Sequence, residues 1–133
     1  MTSLNSEEQK LINGGNYGFV GTSMPDGSPQ VSPVWVETDG EYVYFSTVPG
    51  RLKQRNLDRD PRVAIAVIDK NDPENRQVLI RGRVVEITVD GAVDQINRLS
   101  KIYLGLDPFP MLSQGQLRVQ VKVLPMQIGG YLR

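Results

Sequence analysis

Apolar and polar residues alternate along several stretches of this chain, and the alternation predicts β-strands. In residues 117–124 the valines Val119, Val121 and Val123 are separated by polar side chains, which is the period of a half-buried strand. Residues 62–69 are rich in Val, Ala and Ile and predict a central strand. Further strands are predicted at residues 17–23, 31–37, 42–47, 77–87 and 126–129.

Two residues inside these strands carry extra information about the sheet. Pro33 cannot donate to a hydrogen-bond ladder, so its strand is expected at a sheet edge or with a bulge. Gly82 predicts a bulge or the close approach of another group. An Asp-Gly pair at residues 39–40 predicts a hairpin turn. Because tight turns join the strands, the pattern predicts a mainly β fold, an antiparallel barrel of six or seven strands.

Three short or medium helices are predicted between the strands. Ser6 is suited to cap the first, with Gln9 in the capping-box position. The second must end before Pro61, because the residue before a proline disfavours the helical conformation. The third covers residues 90–104, where apolar residues recur at helical spacing and Gly105 supplies the C-cap.

Candidate chemistry is concentrated in residues 45–62, which are predicted to form a strand end, a tight turn and a short basic helix. A helix N-terminus offers unpaired backbone N–H groups and the positive end of the helix dipole. The hydroxyls of Ser46 and Thr47 and the cations Arg51 and Lys53 add donors and charge. Together these groups favour a site for a phosphate. The alternative is that the cations only solvate an exposed helix face.

Composition excludes several classes of function. The 133 residues fit one domain, expected to span residues 1–133. Lys+Arg and Asp+Glu both number 15, and this balance argues against a nucleic-acid-binding protein. No apolar run approaches the length of a transmembrane helix, and residues 1–8 lack the features of a signal peptide. We therefore expect no membrane partner.

The chain contains neither cysteine nor histidine. Ser-His-Asp and Cys-His nucleophiles and Cys/His zinc sites are therefore excluded, and no metal site is expected. The lack of disulfides is compatible with the cytoplasm. If the protein is an enzyme, its reactive group is expected to be a bound cofactor.

Two motifs in this order resemble a known family. Residues 26–35 read D-G-x-P-x-x-x-P-V-W, and residues 51–63 read R-x-K-x-x-N-L-x-x-D-P-R-V. The chain is similar to the pyridoxamine 5′-phosphate oxidase-like FMN-binding split barrels. Within that family it resembles most the subgroup of oxidoreductases that depend on the deazaflavin coenzyme F420. The resemblance implies a split barrel and a homodimer.

The resemblance also implies where a cofactor binds. In this family the cofactor lies in a groove at the homodimer interface. The family's phosphate-binding basic pair corresponds to Arg51 and Lys53, while Ser46 and Thr47 match positions near the ribityl chain and phosphate. Gln77 matches a glutamine that contacts the flavin. The strand beside the ring system corresponds to Ser32, Pro33, Val34, Trp35 and Val36.

The function implied by the resemblance is hydride transfer between F420 or FMN and a small organic substrate. A true pyridoxamine phosphate oxidase is not expected, because that enzyme has a longer C-terminal region with a Trp and an Arg that bind cofactor and substrate, and the sequence to residue 133 does not include such a region. The alternatives are a non-catalytic carrier or sensor of a flavin or tetrapyrrole, and a dimeric structural protein with an empty groove. The choice between F420 and FMN stays open at this point.

Individual side chains leave further alternatives. No catalytic residue is assigned, because water, a Ser or Thr hydroxyl, Tyr17 or Tyr103 could each supply a proton. Trp35 could pack in the core or an interface, or could line the cofactor groove. Phe109 could cover the substrate side, or its loop could have a purely structural role.

Overall fold

The computed structural model describes residues 3–133, and these form one antiparallel sheet of seven strands that closes into a split barrel. Residues 1–2, included in the expected single domain, lie outside the described part. The strands are β1 Gly18–Ser23, β2 Pro29–Val34, β3 Val36–Thr38, β4 Val43–Thr47, β5 Arg62–Ile68, β6 Arg76–Thr88 and β7 Val119–Leu132. The α-helices are α1 Ser6–Ile12, α2 Leu52–Arg59 and α3 Ala92–Leu104, and a 3-10 helix covers Pro110–Gln114. The predicted mainly β barrel is confirmed.

The barrel closes through a single stretch of chain. The strand order is β2-β1-β5-β6-β7-β4-β3, so the two edges of the sheet are consecutive strands separated only by Trp35. The expected single strand at residues 31–37 is therefore wrong: its first half pairs with β1 and its second half with β4. The edge position predicted from Pro33 is confirmed, since β2 ends the sheet.

The core lies inside the barrel and follows the predicted alternation. Along β7 the buried residues Val119, Val121 and Val123 are separated by partly exposed polar ones. β5 lies between β1 and β6 as predicted, with Val63, Ile65 and Val67 directed inward. Val20 on β1 and Val78 and Ile80 on β6 also point inward, while their neighbours Phe19 and Leu79 are exposed on the opposite face of the sheet.

A long hairpin of β6 and β7 dominates the barrel. Its register shifts next to Gly82, which lies opposite Pro125, so the predicted bulge is confirmed. A Cβ atom at Gly82 would collide with the carbonyl oxygen of Leu124. The two strands expected at residues 117–124 and 126–129 are in fact one strand, because the bulge accommodates the proline that interrupts the pattern.

Helix ends agree with the sequence less closely than the strands do. Asn5, not Ser6, caps α1, and its capping-box partner is Glu8. Gln9 instead donates from Nε2 to the Leu4 carbonyl, at 2.8 Å. Gly105 is the C-cap of α3, as predicted, and it adopts the left-handed conformation. Within residues 3–133, no helix has the length and apolar character needed to span a bilayer.

Candidate functional site

Several chain segments converge on a cavity of about 370 Å³ at one end of the barrel, among them the ends of β2 and β4, the start of α2 and the residue preceding β7. Seven of the ten residues expected to bind the cofactor line this cavity: Pro33, Val34, Trp35, Ser46, Thr47, Arg51 and Lys53. The strand-end hydroxyls and helix-start cations therefore face one space.

Three cations share this cavity, and no carboxylate from the described part of the chain lines it. Lys53 is only 9% exposed, and burial, reinforced by Arg51 and Arg118, lowers its pKa. Burial, followed by the charge of Arg51, lowers the pKa of Arg118 to about 10. Both shifts mean that positive charge is unfavourable here when the cavity is empty. An anion would relieve the repulsion, so the electrostatics fit a negatively charged ligand.

The hydroxyls at the end of β4 are available to such a ligand. Thr47 is 2% exposed, and its Oγ1 has no hydrogen-bond partner among the described residues. Ser46 Oγ accepts a hydrogen bond of 3.0 Å from Arg118 Nε, which leaves its own proton free to be donated. Within residues 3–133 no side chain caps the N-terminus of α2 at Arg51. A buried hydroxyl without a partner is costly, and a bound phosphate would satisfy it.

Aromatic side chains form the other wall of the cavity. Trp35 stacks on Tyr103 with ring centroids 5.1 Å apart, and the edge of Phe109 meets it at 5.8 Å. Trp35 therefore both packs against neighbours and lines the cavity. Phe109 and Met111, from the segment after α3, also line the cavity. This wall can accept a flat, largely apolar group beside the cationic end.

The Tyr103 hydroxyl is committed to the fold. It donates to the carbonyl oxygen of Asn16 at 2.6 Å and accepts from the N–H of Val36 at 3.1 Å. Burial raises its pKa to about 12. These bonds fix the segment between β2 and β3, so Tyr103 is poorly placed to supply a proton. Tyr17 lines the cavity and is 52% exposed.

Three expected cofactor residues do not line the cavity. Ser32 lies on β2 with its Oγ buried and unpaired. Val36 belongs to the core at 1% exposure, and Tyr103 already occupies its N–H. Gln77 is on β6, separated from β2 by β1 and β5, and its amide donates to the Tyr131 hydroxyl at 3.2 Å. Three strand spacings, roughly 14 Å when followed along the curved sheet, separate β6 from β2.

Arg118 is a candidate site residue that the sequence did not reveal. It precedes β7, and pairing of Val119 with Thr47 carries it to the strand-end hydroxyls. In the sequence it is only one arginine in a strand of alternating apolar and polar residues, and nothing there marks it as a site residue. Only knowledge that the last strand pairs with β4 would have linked it to Ser46. Within residues 3–133 no cluster of side chains is arranged to hold a metal ion.

The fold and the cavity define a split-barrel protein with an anion-accepting site. The chain belongs to the pyridoxamine 5′-phosphate oxidase family, whose sequence profile matches residues 4–128. This is a family of flavin-type cofactor-binding oxidoreductases. No significant match was found among curated proteins.

Solved structures support the same assignment. An F420 reductase is 31% identical, with a TM-score of 0.80, over 95% of this chain and 98% of that one. A conserved hypothetical protein from Mycobacterium tuberculosis is 26% identical, with a TM-score of 0.72, over 96% and 84% of the two chains. A FAD-binding protein from Mesorhizobium loti shares the fold at 20% identity and a TM-score of 0.60, over 96% and 94%.

Proposed function

We propose that this protein is an oxidoreductase that binds F420 or FMN and transfers hydride between that cofactor and a small organic substrate. The observation that carries the proposal is the cavity in which Arg51, Lys53 and Arg118 meet without a carboxylate, beside the unpaired hydroxyl of Thr47. Both cofactors carry a phosphate on a ribityl chain, which matches this end of the cavity. The similarity to an F420 reductase supports the deazaflavin as one of the two candidates.

Different residues of the cavity would contact different parts of the cofactor. Arg51, Lys53 and the hydroxyls of Ser46 and Thr47 would hold the phosphate, and Trp35 would lie beside the ring system. The cofactor would supply the hydride chemistry. The chain would orient the ring, and the aromatic wall would exclude water from one side. Water is the favoured proton source, because the Tyr103 hydroxyl is already engaged with Asn16 and Val36.

A homodimer is part of the proposal. The outer face of the sheet is apolar and exposed at Phe19, Val31 and Leu79, and a groove of about 520 Å³ crosses it. Exposed apolar patches of this kind mark interaction surfaces. Pro33, two positions from Val31 on β2, borders the cavity. A second copy on this face would therefore also wall the cavity, and we propose that the partner completes the site.

Cofactor titration tests the proposal directly. The purified protein is titrated with F420 and with FMN, and binding is followed by cofactor fluorescence. We expect at least one to bind, and Lys53→Ala to weaken that binding. Binding of neither would overturn the cofactor assignment. If a cofactor binds tightly, the complex with reduced cofactor is then screened against candidate electron acceptors. Failure to reduce any of them would instead favour a non-catalytic carrier or sensor.

Light scattering tests the dimer. We expect the wild-type protein to be dimeric at micromolar concentration and Leu79→Arg to be monomeric with weaker cofactor binding. Val93→Arg is the matched control, because Val93 is also exposed but lies on α3. A monomeric wild-type protein that still binds the cofactor would refute the interface part of the proposal.

A further inference from the structure

Arg118 has the features of a ligand-binding arginine rather than a structural one. Some cations of this chain are paired with carboxylates, among them Arg62 with Asp60 at 2.8 Å and Arg98 with Glu37 at 3.0 Å. Within residues 3–133 Arg118 contacts no carboxylate, and its hydrogen bonds go to neutral oxygens. A half-buried guanidinium left without an anion is unusual, because charged groups are rarely buried unpaired.

The contacts of Arg118 aim it into the cavity. Nε donates to Ser46 Oγ and Nη1 donates to Gln116 Oε1, both at 3.0 Å. The guanidinium also lies 5.5 Å from the ring centre of Phe109. Within the described chain Nη2 donates to no protein acceptor. The side chain is thus held in place with donor capacity to spare, as anion recognition requires.

We propose that Arg118 is a third ligand of the cofactor phosphate, acting with Arg51 and Lys53 from a different strand. The inference rests on the proposed cofactor function. Nη2 is free to donate to the phosphate, and its bond to Ser46 leaves the serine proton for the same anion. The repulsion that Arg118 feels from Arg51 then becomes attraction to a shared ligand.

The competing explanation is that Arg118 is only a strut, meaning a residue that supports the cavity wall without contacting the ligand. Its bond to Gln116 and its contact with Phe109 connect β7 to residues 109–116, which form the outer wall of the cavity. A strut would stabilise the wall for any ligand, with or without a phosphate. A phosphate ligand would matter only for ligands that carry one. The two roles can therefore be separated by removing the phosphate from the ligand.

The experiment compares each cofactor with its phosphate-free core: FMN with riboflavin, and F420 with the corresponding deazariboflavin. Dissociation constants are measured by quenching of Trp35, the sole tryptophan of the chain. In Arg118→Met we expect the phosphorylated ligand to bind roughly ten- to a hundredfold more weakly. We expect the core to change by less than about twofold, within the scatter typical of such comparisons. Equal weakening of both ligands would identify a strut and overturn the proposal.

Two further variants complete the design. Arg118→Lys keeps the positive charge but removes the planar guanidinium and its paired donors. We therefore expect an intermediate loss of affinity that is confined to the phosphorylated ligand. It also carries the test if Arg118→Met does not fold. Arg83→Met is the control, because Arg83 is exposed and lies outside the cavity. A loss in this control as large as that in Arg118→Met would refute a specific role.

Inorganic pyrophosphate separates failure of this inference from failure of the proposed function. If the wild-type protein binds neither cofactor, the cofactor function falls, but the anion site is still testable by thermal unfolding. We expect pyrophosphate to raise the melting temperature of the wild-type protein and to have a much smaller effect on Arg118→Met. An equal rise in both proteins, or no rise in the wild type, would overturn the role of Arg118.

Discussion

Replacing Lys53 by methionine should weaken cofactor binding and stabilise the empty protein at the same time. Lys53 is 9% exposed, and burial and two neighbouring cations lower its pKa. Its charge is therefore unfavourable until an anion arrives. Methionine preserves most of the apolar stem and its packing but removes the charge. The substitution thus separates the cost of the charge in the empty site from its benefit in the occupied one.

Both effects have magnitudes that can be anticipated. A hydrogen bond to a charged group contributes about 1.5–3 kcal/mol, so the dissociation constant should rise roughly ten- to 150-fold. Removal of an unfavourable charge typically stabilises a protein by about 0.5–2 kcal/mol. For a chain of this length the gain corresponds to a melting temperature higher by about 2–8 °C.

Fluorescence titration measures the first effect and thermal unfolding without cofactor measures the second. Lys10→Met is the matched control, because Lys10 is exposed on α1 and makes only a 3.9 Å ion pair with Glu7. We expect the control to change neither quantity appreciably, as exposed ion pairs contribute little. If Lys53→Met bound the cofactor as tightly as the wild type, Lys53 would not be a phosphate ligand. A lower melting temperature would show that its charge is already compensated in the empty cavity.

Three further outcomes can be checked. Because the pKa of Lys53 is lowered in the fold, its charge penalty is fully present below that pKa and is lost as pH rises from it towards the ordinary value of 10.5; titrations at increasing pH through the lowered pKa should show cofactor affinity falling in the wild type but much less in Lys53→Met. Gly82→Ala should lower the free energy of unfolding by about 1–3 kcal/mol in denaturant melts, whereas Gly129→Ala, with open space around its Cβ, should cost less. Tyr103→Phe should cost about 1–3 kcal/mol by the same assay, since it unpairs two backbone groups; an unchanged stability would refute the bracing role.

Strand existence was predictable from the sequence because burial in a barrel imposes a period of two. The alternating valines of β7 and the apolar run of β5 both appear where the pattern placed them. The continuity of strands was less predictable. Pro125 looks like a strand end in the sequence, but it lies opposite the bulge at Gly82 and β7 continues through it. Nothing in the sequence marks Trp35 as a break in a strand, yet the chain pairs with β1 before it and with β4 after it.

The local part of the site was likewise accessible from the sequence, and the non-local part was not. Ser46, Thr47, Arg51 and Lys53 lie within eight positions, so a strand end and a helix start suffice to gather them. Arg118 reaches the same cavity only because β7 pairs with β4. Strand order depends on the packing of the whole barrel, and a single sequence shows no direct trace of it.

The distribution of charged side chains indicates what kind of ligand the cavity would hold. Positive and negative side chains are equal in number, so carboxylates are available to neutralise any cation. Some of them are used in this way: Arg76 pairs with both Glu7 and Asp69. Among the described residues, none of the ion pairs includes Arg51, Lys53 or Arg118. Arg51, Lys53 and Arg118 line one cavity, and burial together with neighbouring positive charge lowers the pKa values of Lys53 and Arg118. The missing counter-charge is best explained if the ligand itself provides it.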